Sequence, residues 1–240
     1  MLRDFPLNDI LFIDIETIPA YPNLESAPEI DQRLWRKKSV SLFREERSPD
    51  ETYERAGIYA EFGRVICISC GRIRSKPDSN DIRLDIRSFA GENEHTILQN
   101  FSKFLTKHQS KQLRLCAHNG KEFDFPYLSR RMLINGIPLP QTLDNAGKKP
   151  WEIQHFDTLE LWKFGDYKHY TSLELLANCF GLSSPKENLD GSMVAKSWYV
   201  DKNLSAIQNY CEADVSTLVQ VFLKMSMQKV GAQVCVEYQR

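Results

Sequence analysis

Along this chain, apolar residues either alternate with polar ones or recur every three to four positions, the two periods of strands and helices. A first strand is predicted over 9–17, through Leu11-Phe12-Ile13-Asp14-Ile15-Glu16-Thr17, with Pro19 and Pro22 breaking it. A second spans Arg64 to Arg72. Ile82-Arg83-Leu84-Asp85-Ile86-Arg87 alternates as a third, with one wet face as at a sheet edge. The turn over 76–81 joins these two as a hairpin. A helix over 93–109 carries Ile97, Leu98, Phe101, Phe104 and Leu105 on one stripe. Leu113 to His118 is a fourth strand, and a helix past Asp124 runs to Asn135, with Gly136 as its stop. Gln154 to Leu161 reads as a fifth strand.

Thr171-Ser172-Leu173-Glu174 is a capping box that opens a helix ending at Gly181. A short helix near 192–199 and a long one over 203–225 follow. Between strands one and two lies a charge-rich insertion at about 20–60, helical around 28–47 and 50–60. Strands alternate with helices apart from the hairpin, which predicts an α/β fold on a mixed sheet. No repeat or linker divides the chain, so 1–240 is expected to be a single domain carrying a mainly helical insertion.

Composition narrows the picture modestly. The 240 residues are 42% hydrophobic and 26% charged, ordinary for a soluble globular protein. A formal charge of −1 argues against whole-surface attraction to nucleic acid and permits a local basic groove. No apolar run approaches the ~18 residues of a membrane span, and the N-terminal residues form no signal-peptide core. The six cysteines are read as reduced thiols of a cytoplasmic protein. Cys67 and Cys70 form a lone CxxC, but their spacing sends the thiols to opposite faces of a strand, and they are expected in the core.

The chemistry begins in the first strand. Asp14 and Glu16 point the same way, about 7 Å apart at ~3.3 Å per residue. Either the strand ends at Ile13 with both acids in solvent, or the carboxylates flank a hard cation held by oxygen ligands. In the last helix Leu204, Ile207, Cys211, Val215, Leu218 and Phe222 form an apolar stripe with Asp214 on it and Tyr210 one turn earlier. Asp214 is either an acid at the stripe's edge or a carboxylate pressed against the sheet that needs a partner. Asp124 lies between two phenylalanines at a helix start, either as a cap or at the same sheet edge as Asp14, if strands one and four are parallel neighbours. Four acids from three distant segments are what two hard divalent ions require, and oxygen-only ligation favours Mg2+ or Mn2+.

Phe12-Ile13-Asp14-Ile15-Glu16-Thr17, Asn119-x-x-x-Phe123-Asp124 and Tyr210-x-x-x-Asp214 resemble, in order, the three motifs of the DEDD exonuclease superfamily. They are most similar to those of the proofreading 3'-5' exonuclease domains of family-B DNA polymerases. The likeness covers about residues 9–225, apart from the insertion. It implies a ribonuclease-H-like three-layer fold with a five-stranded mixed sheet flanked by helices. It further implies a stand-alone, metal-dependent 3'-5' exonuclease that releases nucleoside 5'-monophosphates from nucleic acid with a free 3' end, single-stranded DNA favoured.

By the same resemblance Asp14, Glu16 and Asp214 hold one cation, Asp14 and Asp124 serve a second, and Tyr210 orients the attacking water. Asn209 stands where a sister subclass carries histidine, so the tyrosine subclass is implied. Thr17, Asn119, Phe123 and Lys186 are expected to contact the strand. An exoribonuclease with the same site and a catalytically silent nucleic-acid-binding module are the competing readings. Two further stretches carry a choice of roles. The basic run around Trp35, Arg36, Lys37, Lys38, Arg44 and Arg47 is a solvated helix or a polyanion-facing flap. Lys163, Tyr167, Lys168, His169 and Tyr170 are an amphipathic loop or a single-strand contact surface. His118 is expected to be structural.

Overall fold

The computed structural model describes residues 5–43, 47–75, 82–110, 112–166, 170–182, 190–227 and 234–239. The predicted turn over 76–81, Arg44, residues 167–169 and Lys186 lie outside them. The framework is one six-stranded mixed sheet in the order β5-β4-β1-β2-β3-β6. β1 (Ile10–Pro19) lies at its centre, antiparallel to β2 (Gly63–Ser75) and parallel to β4 (Arg114–Ala117). β3 (Ile82–Ala90) pairs antiparallel with β2, as the hairpin reading expects. β1 and β4 are indeed parallel neighbours, the condition on which a shared sheet-edge site depended.

Four strand expectations need correction. The sheet has a sixth strand, β6 (Val234–Gln239), beyond the last predicted helix. It runs parallel to β3 over Ile82–Arg87, so β3 is interior for most of its length and its polar residues pair across strands. Asp85 is buried between Arg74 at 2.5 Å and Arg83 at 2.7 Å. The predicted fifth strand shrinks to two residues, β5 (Phe156–Asp157), followed by α5 (Thr158–Lys163). Asp157 explains the switch: its carboxylate accepts the backbone N–H groups of Leu159 and Glu160 and so caps a helix where the strand was expected to continue. β1 also runs through Pro19 rather than stopping before it, the proline falling at the terminal pair with Gly63.

One face of the sheet packs α3 (Glu94–Lys107) and α4 (Asp124–Ile134) through Ile13, Ile15, Ile68, Phe101, Phe125 and Leu128. The other face packs α8 (Leu204–Ser226) through Phe12, Leu84, Val215, Leu218 and Phe222. α8 is buried on more than the single predicted stripe, because α6 (Leu173–Cys179) covers its far side through Leu176 and Val221. It lies close on the sheet: a Cβ at Gly71 would come 2.7 Å from Val215 Cγ1, so only glycine leaves room for the helix there.

Within the insertion, α1 (Glu29–Phe43) is followed by α2 (Pro49–Thr52) and a 3-10 turn over Tyr53–Ile58. These fold around Trp35, which is fully buried against Tyr53 and Phe62 and donates its indole N–H to the Pro49 carbonyl. Trp35 therefore anchors the insertion and is not a surface aromatic of a basic flap.

Candidate active site

The pleat of β1 sends Ile13 and Ile15 into the α3/α4 core and Asp14 and Glu16 to the α8 face, opposite Ser69 and Cys67 of β2. Directly after Glu16 the β1–β2 register shifts by one residue, a bulge that turns the end of the strand. Pairing of β1 with β4 stops at Phe12, which leaves the next stretch of that edge open. Asp124 enters this gap. It is the first residue within α4, the N-cap position being Phe123, so the capping alternative does not describe it. Its carboxylate turns instead to the backbone N–H of Ile15.

The acids meet in a largely dry setting. Glu16 is 7% exposed and Asp124 4%. Asp14 is half-buried as a residue, but its Oδ2 is enclosed and makes no hydrogen bond among the described residues. Burial first, then the charges of Asp214 and Asp124, push the Asp14 carboxyl well above its ordinary range. Burial and Asp14 do the same to Glu16. Asp124 rises to about 7, burial again dominating, with the amide hydrogen bonds opposing. Among the described residues, the charges that bear most strongly on Asp14 and Glu16 are other acids and a thiol. Such a group of carboxylates is stable at neutral pH only as bound protons or with cations between them.

α8 supplies the remaining pieces. Packing of Cys211 and Val215 on the sheet half-buries Asp214 and brings its charge to bear on Asp14 and Glu16. Tyr210, one turn earlier, hydrogen-bonds Asp214, and burial together with the nearby acids raises its phenol far above the usual range. Burial and the neighbouring acids thus keep the phenol protonated.

Two residues at the site were not among those expected there from the sequence. Cys211 points its thiol to the Asp14 carbonyl at 3.4 Å, and its Sγ shares a sphere with the Asp14 and Glu16 carboxylates, all donor atoms lying within 4.8 Å of one another. Its spacing of three from Asp214 was the available signal. Burial raises its pKa strongly, so it is a neutral thiol bordering the carboxylates. Asp157 is buried and accepts four backbone N–H groups, those of Asn119, Lys121, Leu159 and Glu160. It pins the loop that delivers Asp124. An aspartate directly before a helix start was its signal.

The predicted strand-contacting residues are placed as follows. Thr17 is half-buried and hydrogen-bonds the Tyr127 phenol. Asn119 adopts a left-handed backbone (φ 63°) at the turn after β4. Phe123 packs against the core and beside the Tyr127 ring, 5.3 Å away. Tyr170 is exposed and stands edge-on to His118. His118 is structural, as expected: Nε2 reaches the Thr171 carbonyl at 2.8 Å and Nδ1 the Thr158 hydroxyl at 2.9 Å, and burial lowers its pKa. At the end of the second motif Arg131 forms a two-pronged ion pair with Glu94, which in turn accepts the Val65 N–H, tying α4 to α3 and β2. Cys67 and Cys70 are free, buried and in different core clusters, one on each side of the sheet.

No helix among the described residues is long and apolar enough to cross a membrane. Comparison of the fold finds the family B DNA polymerase of the hyperthermophilic archaeon Pyrobaculum calidifontis, with a TM-score of 0.54 at 16% identity. The match covers 90% of this chain and 24% of the polymerase, so the chain spans about a quarter of that protein's length. At that identity the likeness establishes the ribonuclease-H-like fold alone. Residues 58–237 match the family described as "predicted 3'-5' exonuclease related to the exonuclease domain of PolB". With three quarters of its length in that match, the chain belongs to this 3'-5' exonuclease family.

Proposed function

We propose that the protein hydrolyses single-stranded nucleic acid, DNA favoured, from its 3' end and releases nucleoside 5'-monophosphates with the help of two divalent cations. The observation that carries this reading is the enclosed, unpartnered Oδ2 of Asp14 amid Glu16, Asp124 and Asp214 at the open edge of β1. The donors are hard oxygens, which fit Mg2+ or Mn2+. Asp14, Glu16 and Asp214 would hold one ion, and Asp14 with Asp124 the other. When bound, the pair neutralises the charge that develops on the attacking and leaving oxygens of an in-line displacement.

The chain's own groups do the rest. Tyr210, a protonated phenol braced by Asp214, holds the attacking water in line with the phosphorus. The water oxygen bonds to phosphorus as it gives up a proton to solvent, the bond to the 3' oxygen breaks, and that oxygen takes a proton from solvent, so that no net proton is consumed in forming the 3' hydroxyl. Phe123, Asn119, Thr17 and Lys186 steer the strand end. Buried free thiols at Cys67, Cys116 and Cys211 accord with a reducing, cytoplasmic compartment.

End-labelled single-stranded DNA, duplex DNA and RNA, each with Mg2+, Mn2+ or EDTA, test the reading. The expected result is metal-dependent shortening from the 3' end, strongest on single-stranded DNA. Asp14→Ala and Asp214→Ala should each lower the rate about a thousandfold. Cleavage in EDTA, or full activity in those variants, overturns it. Tight binding without cleavage would make the protein a silent binding module.

A further inference from the structure

Beyond Glu16, β1 continues to Pro19, about 10 Å onward at ~3.3 Å per residue, and a second set of groups gathers there. Arg64, paired with Ile18 across β1 and β2, lays its guanidinium over the Trp198 ring, 5.1 Å from the centroid. It also hydrogen-bonds the Tyr199 phenol, whose hydroxyl donates to the Pro19 carbonyl at 2.7 Å. Arg64 Nε is enclosed and has no hydrogen-bond partner among the described residues. These residues, with Glu92, Lys202 and Leu204, line a cleft of about 390 Å3. Two cations face one carboxylate there, in contrast to the all-acid cluster one strand-length away.

We infer that this cleft is a subsite for nucleotides on the 5' side of the scissile bond. It rests on the exonuclease reading and extends it along the strand. A cluster of acids repels a polyanion, so a strand entering it needs cationic contacts close by. Arg64 provides a planar fork for a backbone phosphate, with a buried donor that lacks an acceptor. The Trp198 ring beneath the Arg64 guanidinium offers a flat surface for a base, a contact indifferent to sequence. The rigid link from Tyr199 to Pro19 fixes this platform relative to Glu16.

Binding of a short fluorescent single-stranded DNA to the metal-free protein in EDTA, read by anisotropy, tests the subsite without turnover. Arg64→Gln and Trp198→Ala should each weaken binding about tenfold, the scale of one lost base stack. Trp198→Phe, which keeps a ring under Arg64, should bind nearly as the unaltered chain. With Mg2+, kcat/KM on the oligonucleotide should fall by a similar factor in Arg64→Gln and Trp198→Ala. It should be unchanged on the p-nitrophenyl ester of thymidine 5'-monophosphate, which has no nucleotide beyond the cleaved bond. Unchanged oligonucleotide binding in both variants, or equal losses on both substrates, overturns the subsite alone. An unaltered chain that cleaves neither substrate overturns the exonuclease reading and the subsite with it.

Discussion

Asp124 titrates near neutrality because its carboxyl is buried against β1 and faces Asp157, with two amide hydrogen bonds only partly offsetting this. Its folded pKa of about 7 lies above the unfolded value near 3.8, so the folded state holds the extra proton between those limits. The metal-free protein therefore loses stability from this group as pH rises from about 4 through 7. His155 works in the opposite sense: burial lowers its pKa to about 4, so its contribution is lost as pH falls below 6.5. Asp124→Asn isolates the first effect and keeps an acceptor for Ile15. In EDTA it should be more stable than the unaltered chain at pH 7, by a few kcal/mol at ~1.36 kcal/mol per unit, with a higher melting temperature, and match it near pH 4. A variant less stable at pH 7 would mean that Asp124 serves the fold as an anion.

At the scale of elements, the site depends on three abrupt endings. Pairing between β1 and β4 stops at Phe12, the register slips after Glu16, and β5 turns into α5 at Asp157. The last of these is the least redundant, since one side chain serves the 119–121 loop and the first turn of α5 together. Asp157→Ala should cost about 3 kcal/mol through the unsatisfied amides, measured by denaturant unfolding. It should also lower exonuclease activity by loosening the segment that carries Asp124. Full activity with only a stability loss would confine Asp157 to the fold. The sequence made the long periodic elements plain, such as the helix over 93–109 and the strand pair at 64–87, because a period repeated over many residues outweighs local exceptions. It did not reveal α5, because a single cap overrode a strand-like run.

For the whole molecule, the sheet is a partition. α3 and α4 complete an apolar layer on one side, and α8 completes another on the side where Asp14, Glu16 and Asp214 converge. Stability and charge are thus opposed in one place, and cations should relieve the opposition. Saturating Mg2+ or Mn2+, at about a hundred times the dissociation constant, should add ~2.7 kcal/mol and raise the melting temperature by roughly 5–10 °C. Asp14→Ala should abolish that rise. An equal rise in the variant would place the cation elsewhere.

The sequence by itself determined the alternation of elements, the two apolar faces of the central strand and the four acids with their tyrosine, because each is a local pattern of side chains at fixed spacing. Tertiary structure decided what those acids experience. Only the meeting of β1, the 119–124 loop and α8 excludes water from Asp14 Oδ2 and makes the carboxylates repel one another. It alone joins Arg64 to Trp198 and Tyr199, more than a hundred residues on, and adds β6 to the edge of β3. Burial and long-range pairing are properties of the assembled layers, and no spacing along the chain encodes them.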